Sequence, residues 1–263
     1  MLGFWLAVRP PRIAIPLAPG DFNLKVEELS IRAADGAPLA AWLIARPGAA
    51  TVVLLHGYPA EKADLLPMAA ALAPHFGVVL MDLRYFGASG GSATTLGFRE
   101  RDDVRRLLDA LTARDMGRIG VFGFSLGGAV GLLAAAEDDR IRALAAYAPF
   151  SDLRLLGREL YAHLWLLKYP MVELMIMWGR LAFGADISRP TPLEAARRVT
   201  IPVLLIASRD DEQISFTHAE RLREALAANR LADFEWEVGG RHGQLGPSIE
   251  RRLVEFFRRH LAP

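Results

Sequence analysis

Residues 119–128 read Ile-Gly-Val-Phe-Gly-Phe-Ser-Leu-Gly-Gly, an apolar run ending in Gly123-x-Ser125-x-Gly127 and continuing into the small, apolar stretch Ala129 to Ala136. An apolar run this short suits a strand buried on both faces, and the residues after it suit a helix pressed close to that strand. Only the serine and its neighbours are left to make the connection, so the chain must turn sharply there. Glycine at 123 and 127 leaves room where a Cβ would collide with the adjoining strand or helix. Such a turn holds Ser125 in a strained conformation and exposes its hydroxyl above the sheet. The plain alternative is a glycine-rich strand–helix turn that carries no chemistry.

The rest of the chain repeats the alternation. Leu24–Arg32 and Leu39–Ala45 flank Asp35-Gly36, the short turn of a β-hairpin. Thr51–Leu55 is an apolar strand ending at His56-Gly57, and residues 64–76 read as a helix. Gly77–Met81 is the next strand, followed by Asp82-Leu-Arg-Tyr-Phe-Gly-Ala-Ser89. A charged helix then carries Val104, Leu107, Leu108 and Leu111 at helical spacing, and its run from Arg99 to Arg106 reads as a solvated face with i,i+4 pairs. Further strands are expected at Ile141–Tyr147, Pro202–Ala207 and Phe234–Val238, before a last helix with Ile249, Leu253, Phe256 and Phe257. Strands alternating with helices define an α/β class: a mostly parallel sheet, covered by helices on both faces, with an antiparallel N-terminal hairpin. Ligands of such sheets bind beyond the carboxyl ends of the strands. The informative loops are therefore 56–60, 82–92, 123–128, 148–152, 207–215 and 239–245.

At 263 residues, 52% of them apolar, the chain suits one large domain or a domain with a modest insertion. The core is expected over 24–150 and 191–263, with residues 151–190 as the insertion. That segment shows no clear strand but a dense set of large side chains: Leu160, Tyr161, Leu164, Trp165, Leu167, Tyr169, Met171, Met175, Met177, Trp178 and Phe183. Lys168, Glu173 and Arg180 interrupt it too often for a membrane span. Two or three helices are expected here, a small cap over the sheet bounded by Pro170 and Pro190. Its methionines and tryptophans suit a malleable apolar pocket wall, although most of these residues must also pack on the core. Residues 1–23 form an apolar, proline-rich segment whose first eight residues are too few to cross a bilayer, which needs about 20. Positive charges follow that apolar run rather than precede it, and no small-residue cleavage site is seen, so a cytoplasmic location is expected. Peripheral membrane contact through the N-terminus or the cap stays open. With 31 basic and 30 acidic side chains and no basic stripe interleaved with aromatics, nucleic acid is not an expected partner. The absence of cysteine excludes disulfides, thiolate metal sites and a cysteine nucleophile.

A serine hydroxyl needs a base within hydrogen-bond reach and a third group to orient that base. Of six histidines, His242 stands out, in Gly239-Gly-Arg-His-Gly243 between the last strand and the last helix. His75, His218 and His260 fall on expected helices and His163 within the cap, where a structural or solvated ring is the simpler reading. The loop after Pro202–Ala207 offers Ser208-Arg-Asp210-Asp211-Glu212-Gln-Ile214 as a source of acid. Asp152 is a second candidate, but Ser151-Asp152 reads more simply as a helix N-cap.

These residues, in the order Ser125, Asp211, His242, resemble the serine hydrolases of the α/β-hydrolase superfamily, and in particular bacterial esterases, lipases and acyl-thioesterases. The resemblance covers essentially residues 24–261. Leu54-Leu-His-Gly-Tyr58 is similar to the family's oxyanion loop, Asp82-Leu-Arg84-x-x-Gly87-x-Ser89 to its structural turn, and Gly239-Gly-Arg-His242 to its histidine loop. It implies Ser125, Asp211 and His242 as the catalytic triad, with backbone N–H groups of Tyr58 and Leu126 holding the oxyanion. His56 would support its loop rather than take part in catalysis. The acid loop departs from the family pattern, having lost a glycine and a proline; alignment on Ile214 selects Asp211 and leaves Asp210 as the alternative. The implied activity is carboxylic-ester hydrolysis through an acyl-enzyme on a small ester with a hydrophobic short-to-medium acyl group, without metal or organic cofactor. Thioester or lipid hydrolysis is the enzymatic alternative, and a catalytically inactive binding protein of the same fold is the non-enzymatic one. Neither the natural substrate nor the oligomeric state can be read from these residues.

Overall fold

The computed structural model describes residues 2–237, 240–244 and 247–262. The strands are β1 (Glu27–Arg32), β2 (Pro38–Ile44), β3 (Thr51–Leu55), β4 (Gly77–Met81), β5 (Ile119–Phe124), β6 (Ile141–Tyr147), β7 (Val203–Ser208) and β8 (Ala232–Glu237). Among the described residues they form one eight-stranded sheet in the order β1-β2-β4-β3-β5-β6-β7-β8. β1 pairs antiparallel with β2, and β2 antiparallel with β4. Every later neighbour is parallel, from β3 beside β4 to β7 beside β8. The expected fold class is therefore the observed one.

The period-2 geometry of a strand divides its side chains between two cores. Val53 and Leu55 face one side with Val121 and Leu205, whereas Val52 and Leu54 face the other with Phe122 and Leu204. The first core is covered by α3 (Glu100–Thr112), α4 (Leu126–Ala135) and α8 (Phe216–Ala225). The second is covered by α2 (Leu66–Leu72) and α9 (Pro247–His260). Burial on both faces is why the central strands read as unbroken apolar runs.

Some bounds differ from the sequence reading. The helix expected over 64–76 is a 3-10 turn, Lys62–Leu65, followed by α2. Phe234–Val238 was the expected last strand; β8 begins two residues earlier, and Val238 lies outside the described residues, as does Gly239 of the following loop. The hairpin turn at Asp35-Gly36 is present, with Gly36 at φ +83°.

Residues between β6 and β7 are helical: α5 (Leu153–Leu160), a 3-10 segment (Ala162–Leu167), α6 (Lys168–Phe183) and the short α7 (Pro192–Ala196). Pro170 is no boundary. It lies in the first turn of α6, where proline costs little because the N–H it lacks would have had no helical partner. The break comes instead at Trp165, whose φ is +51° and whose side chain is 77% exposed. At the other end of the chain, α1 (Leu2–Val8) packs beside α6, with Phe4 and Val8 buried against Ile187 and Ala93. Among the described residues, no helix is long and apolar enough to cross a membrane.

Candidate active site

Ser125 stands between the end of β5 and the first turn of α4 at φ +52° and ψ −114°, a backbone region that side chains rarely occupy. Glycines permit it. A Cβ on Gly123 would run into the Gly127 carbonyl, and one on Gly127 into the Leu55 carbonyl at the end of β3. The Ser125 N–H donates to the Tyr147 carbonyl at 2.8 Å, fixing the turn to the neighbouring strand.

Three loops from distant parts of the chain meet at this hydroxyl. His242 Nε2 lies 3.1 Å from Ser125 Oγ, and His242 Nδ1 lies 2.7 Å from Asp211 Oδ2. An ionised carboxylate only accepts, so Nδ1 carries the proton toward Asp211 and Nε2 is free to accept the serine proton. Asp211 sits in the loop after β7, and its Oδ1 accepts the N–H groups of Gln213 and Ile214, each at 2.8 Å. Burial pushes its pKa up, but the His242 hydrogen bond and these two amides outweigh that and hold it below the usual aspartate range. The His242 and Asp211 side chains are only 6% and 2% exposed, so water does not compete for the bond between them. The His242 N–H donates to Glu212 at 3.1 Å, and the Phe124 ring lies 4.8 Å from the imidazole. Asp210, the alternative acid, lies exposed in the same turn, and its backbone N–H donates to Ser208 Oγ.

The loop after β3 runs against the serine. A Cβ on Gly57 would stand 3.2 Å from Ser125 Cβ, which brings Tyr58 to the same corner. Among the described residues, neither the Tyr58 nor the Leu126 backbone N–H has an acceptor. Leu126 opens α4, so its amide also carries the positive end of the helix dipole. His56 is buried: Nδ1–H donates to the Gly57 carbonyl at 2.7 Å, and Nε2 accepts the Leu83 N–H at 3.0 Å. Both ring nitrogens are occupied, and burial holds the ring in its neutral form. His56 thus ties the loop after β3 to the turn after β4. In that turn Asp82 accepts from Lys62 N–H and Ala88 N–H, while Ser89 Oγ donates to the Asp82 carbonyl.

Above the serine lies a cavity of about 240 Å³. Ser125, Leu126 and Tyr58 form its floor, and Leu153, Leu156, Gly157, Leu160, Tyr161, Val172, Met175 and Ile176 its roof. Among the described residues, no acidic or basic side chain lines it. Of the methionines and tryptophans expected as pocket wall, only Met175 belongs to it; Met177 and Trp165 point to solvent. Sequence reasoning missed Leu96 and α1, which contributes Phe4, Ala7 and Val8, whereas Gln213 and Ile214 come from the loop 207–215 that it singled out. Leu96 is held in place by buried Glu100, which accepts from Thr94 Oγ1, from the N–H and Oγ1 of Thr95, and from Gly97 N–H. The apolar start of α1 announces burial, but nothing in it announces against what.

His218, on α8, is a structural ring rather than a solvated one. Its buried ring accepts the Ser151 N–H at Nδ1, 3.0 Å, and donates from Nε2 to Glu159 of α5, 3.1 Å. Ser215 Oγ donates to the same carboxylate at 2.8 Å. The helix roofing the cavity is thereby fastened to the segment that follows Asp211. Asp152 caps α5, accepting from the N–H groups of Arg154 and Leu155.

Among the described residues, no cluster of side chains could hold a metal ion. A family profile described as alpha/beta hydrolase fold matches residues 50–173. The Bacillus subtilis (strain 168) protein YqkD is 30% identical over 180 residues, 66% of this chain and 59% of that protein. The chain thus spans less than two thirds of this relative's length. The Arabidopsis thaliana alpha/beta hydrolase domain-containing protein WAV2 is 27% identical over 86% of this chain and 75% of its own. Among solved structures, the Pyrococcus furiosus esterase Pf2001 superposes with a TM-score of 0.80 at 24% identity, covering 97% of this chain and 100% of that one. A likeness at that identity speaks for the fold alone.

Proposed function

We propose that this chain, matched over residues 50–173 by a family profile of the alpha/beta hydrolase fold, is a serine carboxylic-ester hydrolase of that family, acting through an acyl-enzyme on uncharged esters with short-to-medium hydrophobic acyl groups. The observation that carries this reading is the unbroken hydrogen-bonded series Ser125 Oγ, His242 Nε2, His242 Nδ1, Asp211 Oδ2 at the floor of an apolar cavity. A strained serine backbone and two amides without acceptors beside it add to the support.

In this reading His242 Nε2 takes the Ser125 proton as Oγ attacks the ester carbonyl carbon. The carbonyl oxygen becomes an oxyanion and accepts from the Tyr58 and Leu126 N–H groups, which are held in place before the reaction begins. Asp211 orients the imidazole and stabilises the imidazolium. The tetrahedral intermediate collapses, the alkoxide leaves with the proton from Nε2, and the acyl group stays on Oγ. Water then gives a proton to Nε2, its oxygen attacks the acyl carbon, and Ser125 departs with that proton, releasing the carboxylic acid. The cavity, lined without charge, favours a hydrocarbon acyl group over a charged one, whose desolvation nothing there would offset.

The test is labelling by a fluorophosphonate probe together with p-nitrophenyl butyrate turnover, with Ser125→Ala as control. The expected outcome is loss of labelling and a fall in turnover of at least about 10³-fold, because triad members act as a unit. Turnover unchanged in Ser125→Ala rejects the proposal.

A further inference from the structure

The cavity over Ser125 is closed on one side by the first helix of the chain, which the proposed chemistry does not use. Phe4, Ala7 and Val8 reach the cavity, and Phe4 and Val8 are 3% and 0% exposed. The helix is clamped there from two directions. Against α6, the Phe4 ring lies 5.9 Å from that of Phe183, and the missing side chain of Gly179 leaves space for it. Against the core, the Thr94 N–H donates to the Val8 carbonyl at 3.0 Å, and the Tyr85 phenol donates to the Pro10 carbonyl at 2.8 Å. Thr94 is itself fixed by buried Glu100.

The site geometry says which part of an ester meets this wall. The leaving alcohol must depart beside His242, since that ring returns its proton. His242 does not line the cavity, whereas Ser125, Leu126 and Tyr58 do. The acyl chain attached to Oγ therefore runs into the cavity, away from the imidazole and toward α1. We propose that α1 is the end wall of the acyl subsite, and that Phe4 and Ala7 set the longest uncharged alkyl chain accepted. This rests on the hydrolase reading for its chemistry, but the subsite itself is a statement about binding. Ala7 is the small member of the wall: a phenyl ring there would take up much of an opening of about 240 Å³. Removing the Phe4 ring would lengthen the same opening.

Binding without turnover separates the two claims. In the Ser125→Ala chain, methyl butyrate, methyl octanoate and methyl laurate are titrated by displacement of the fluorescent apolar probe N-phenyl-1-naphthylamine. Adding Ala7→Phe should weaken octanoate and laurate by at least about tenfold, equivalent to losing contact with about two methylenes, and leave butyrate within about twofold. Adding Phe4→Ala should shift the tightest ester to a longer chain, and a thermal melt shows whether either variant remains folded. Equal binding of every ester by both folded variants, or a loss independent of chain length, overturns the proposal. The same substitutions are then read with Ser125 intact against p-nitrophenyl esters of graded acyl length. Length-dependent binding with no turnover of any ester counts against the hydrolase reading and leaves the α1 wall standing.

Discussion

Replacing Asp211 with asparagine changes one atom, and the surrounding hydrogen bonds dictate which one. Oδ1 accepts two backbone N–H groups, from Gln213 and Ile214, while Oδ2 alone faces His242. In Asp211→Asn the carbonyl oxygen must stay with the two amides, because turning the NH2 toward them would oppose donor to donor at both bonds. The part-buried bond to Ile214, left unmade, costs about 1–3 kcal/mol and the exposed one to Gln213 less, so the flipped rotamer lies at least roughly 1–3 kcal/mol higher. The NH2 is therefore left facing Nδ1 and forces that nitrogen to accept. The proton moves to Nε2, and the ring can no longer take one from Ser125. The variant also loses the negative charge that steadies the imidazolium. Together these put the expected fall in kcat at about 10³ to 10⁴, the scale on which a wrong-tautomer triad operates. Asp210→Asn should stay within about threefold of wild type, since its carboxylate is not the one on Nδ1 and surface substitutions are generally mild. The assay is steady-state p-nitrophenyl butyrate hydrolysis at pH 8, with circular dichroism to compare folding. An Asp211→Asn enzyme within about tenfold of wild type, or an Asp210→Asn enzyme equally impaired, would refute the tautomer argument.

Protonation should weaken the fold through His218, whose pKa burial lowers from 6.5 despite the neighbouring Glu159, with Arg221 lowering it further and Asp152 opposing. The unfolded chain binds this proton more readily, so stability is full above pH 6.5 and declines as pH falls toward the lower native value. One histidine contributes a slope of at most about 1.4 kcal/mol per pH unit. Urea unfolding between pH 8 and 5 should show a shallower decline in His218→Gln than in wild type; His56, lowered in the same direction, accounts for part of what remains. Identical slopes would contradict this. Gly127→Ala should yield no folded protein, because its methyl would enter the space of the Leu55 and His56 carbonyls. Gly117→Ala, with open space around its Cβ, should melt within a few degrees of wild type or slightly above it, the expected gain being about 0.4–1 kcal/mol.

The central strands were legible because a strand covered on both faces must be apolar throughout, and β3, β4 and β6 begin and end where the sequence places them. Helix detail was less so. The turn at Lys62–Leu65 and the proline inside α6 depend on local geometry that periodicity does not resolve. Ser125 and His242 are marked by glycines around them, a signal of backbone shape. Of the two adjacent aspartates, Asp211 is the one whose carboxylate accepts the amides of Gln213 and Ile214 and lies on His242, and a sequence carries no trace of that. The cavity wall was read least well. Apolarity says that Met175 and Met177 want burial, but only packing decides that one roofs a cavity and the other meets solvent. Contacts such as His218 with Glu159, or α1 with Leu96, join residues far apart in sequence, where no motif links them.

The bare backbone at Gly57 and Gly127 has a consequence for how such a chain can diverge. Through Gly57 the His-Gly loop touches Phe124 and Ser125, and through Gly127 the helix start touches Leu55 and His56, with no side chain between them to yield. The Tyr58 and Leu126 segments, the two halves of the proposed oxyanion site, are thus held together by close backbone contacts. The rest of the cavity lining comes from other parts, among them α1, α5 and α6, which in the proposed function would select among substrates. If the proposed chemistry holds, exchanges in that lining should retune which ester is accepted while the block at Gly57 and Gly127 stays as it is.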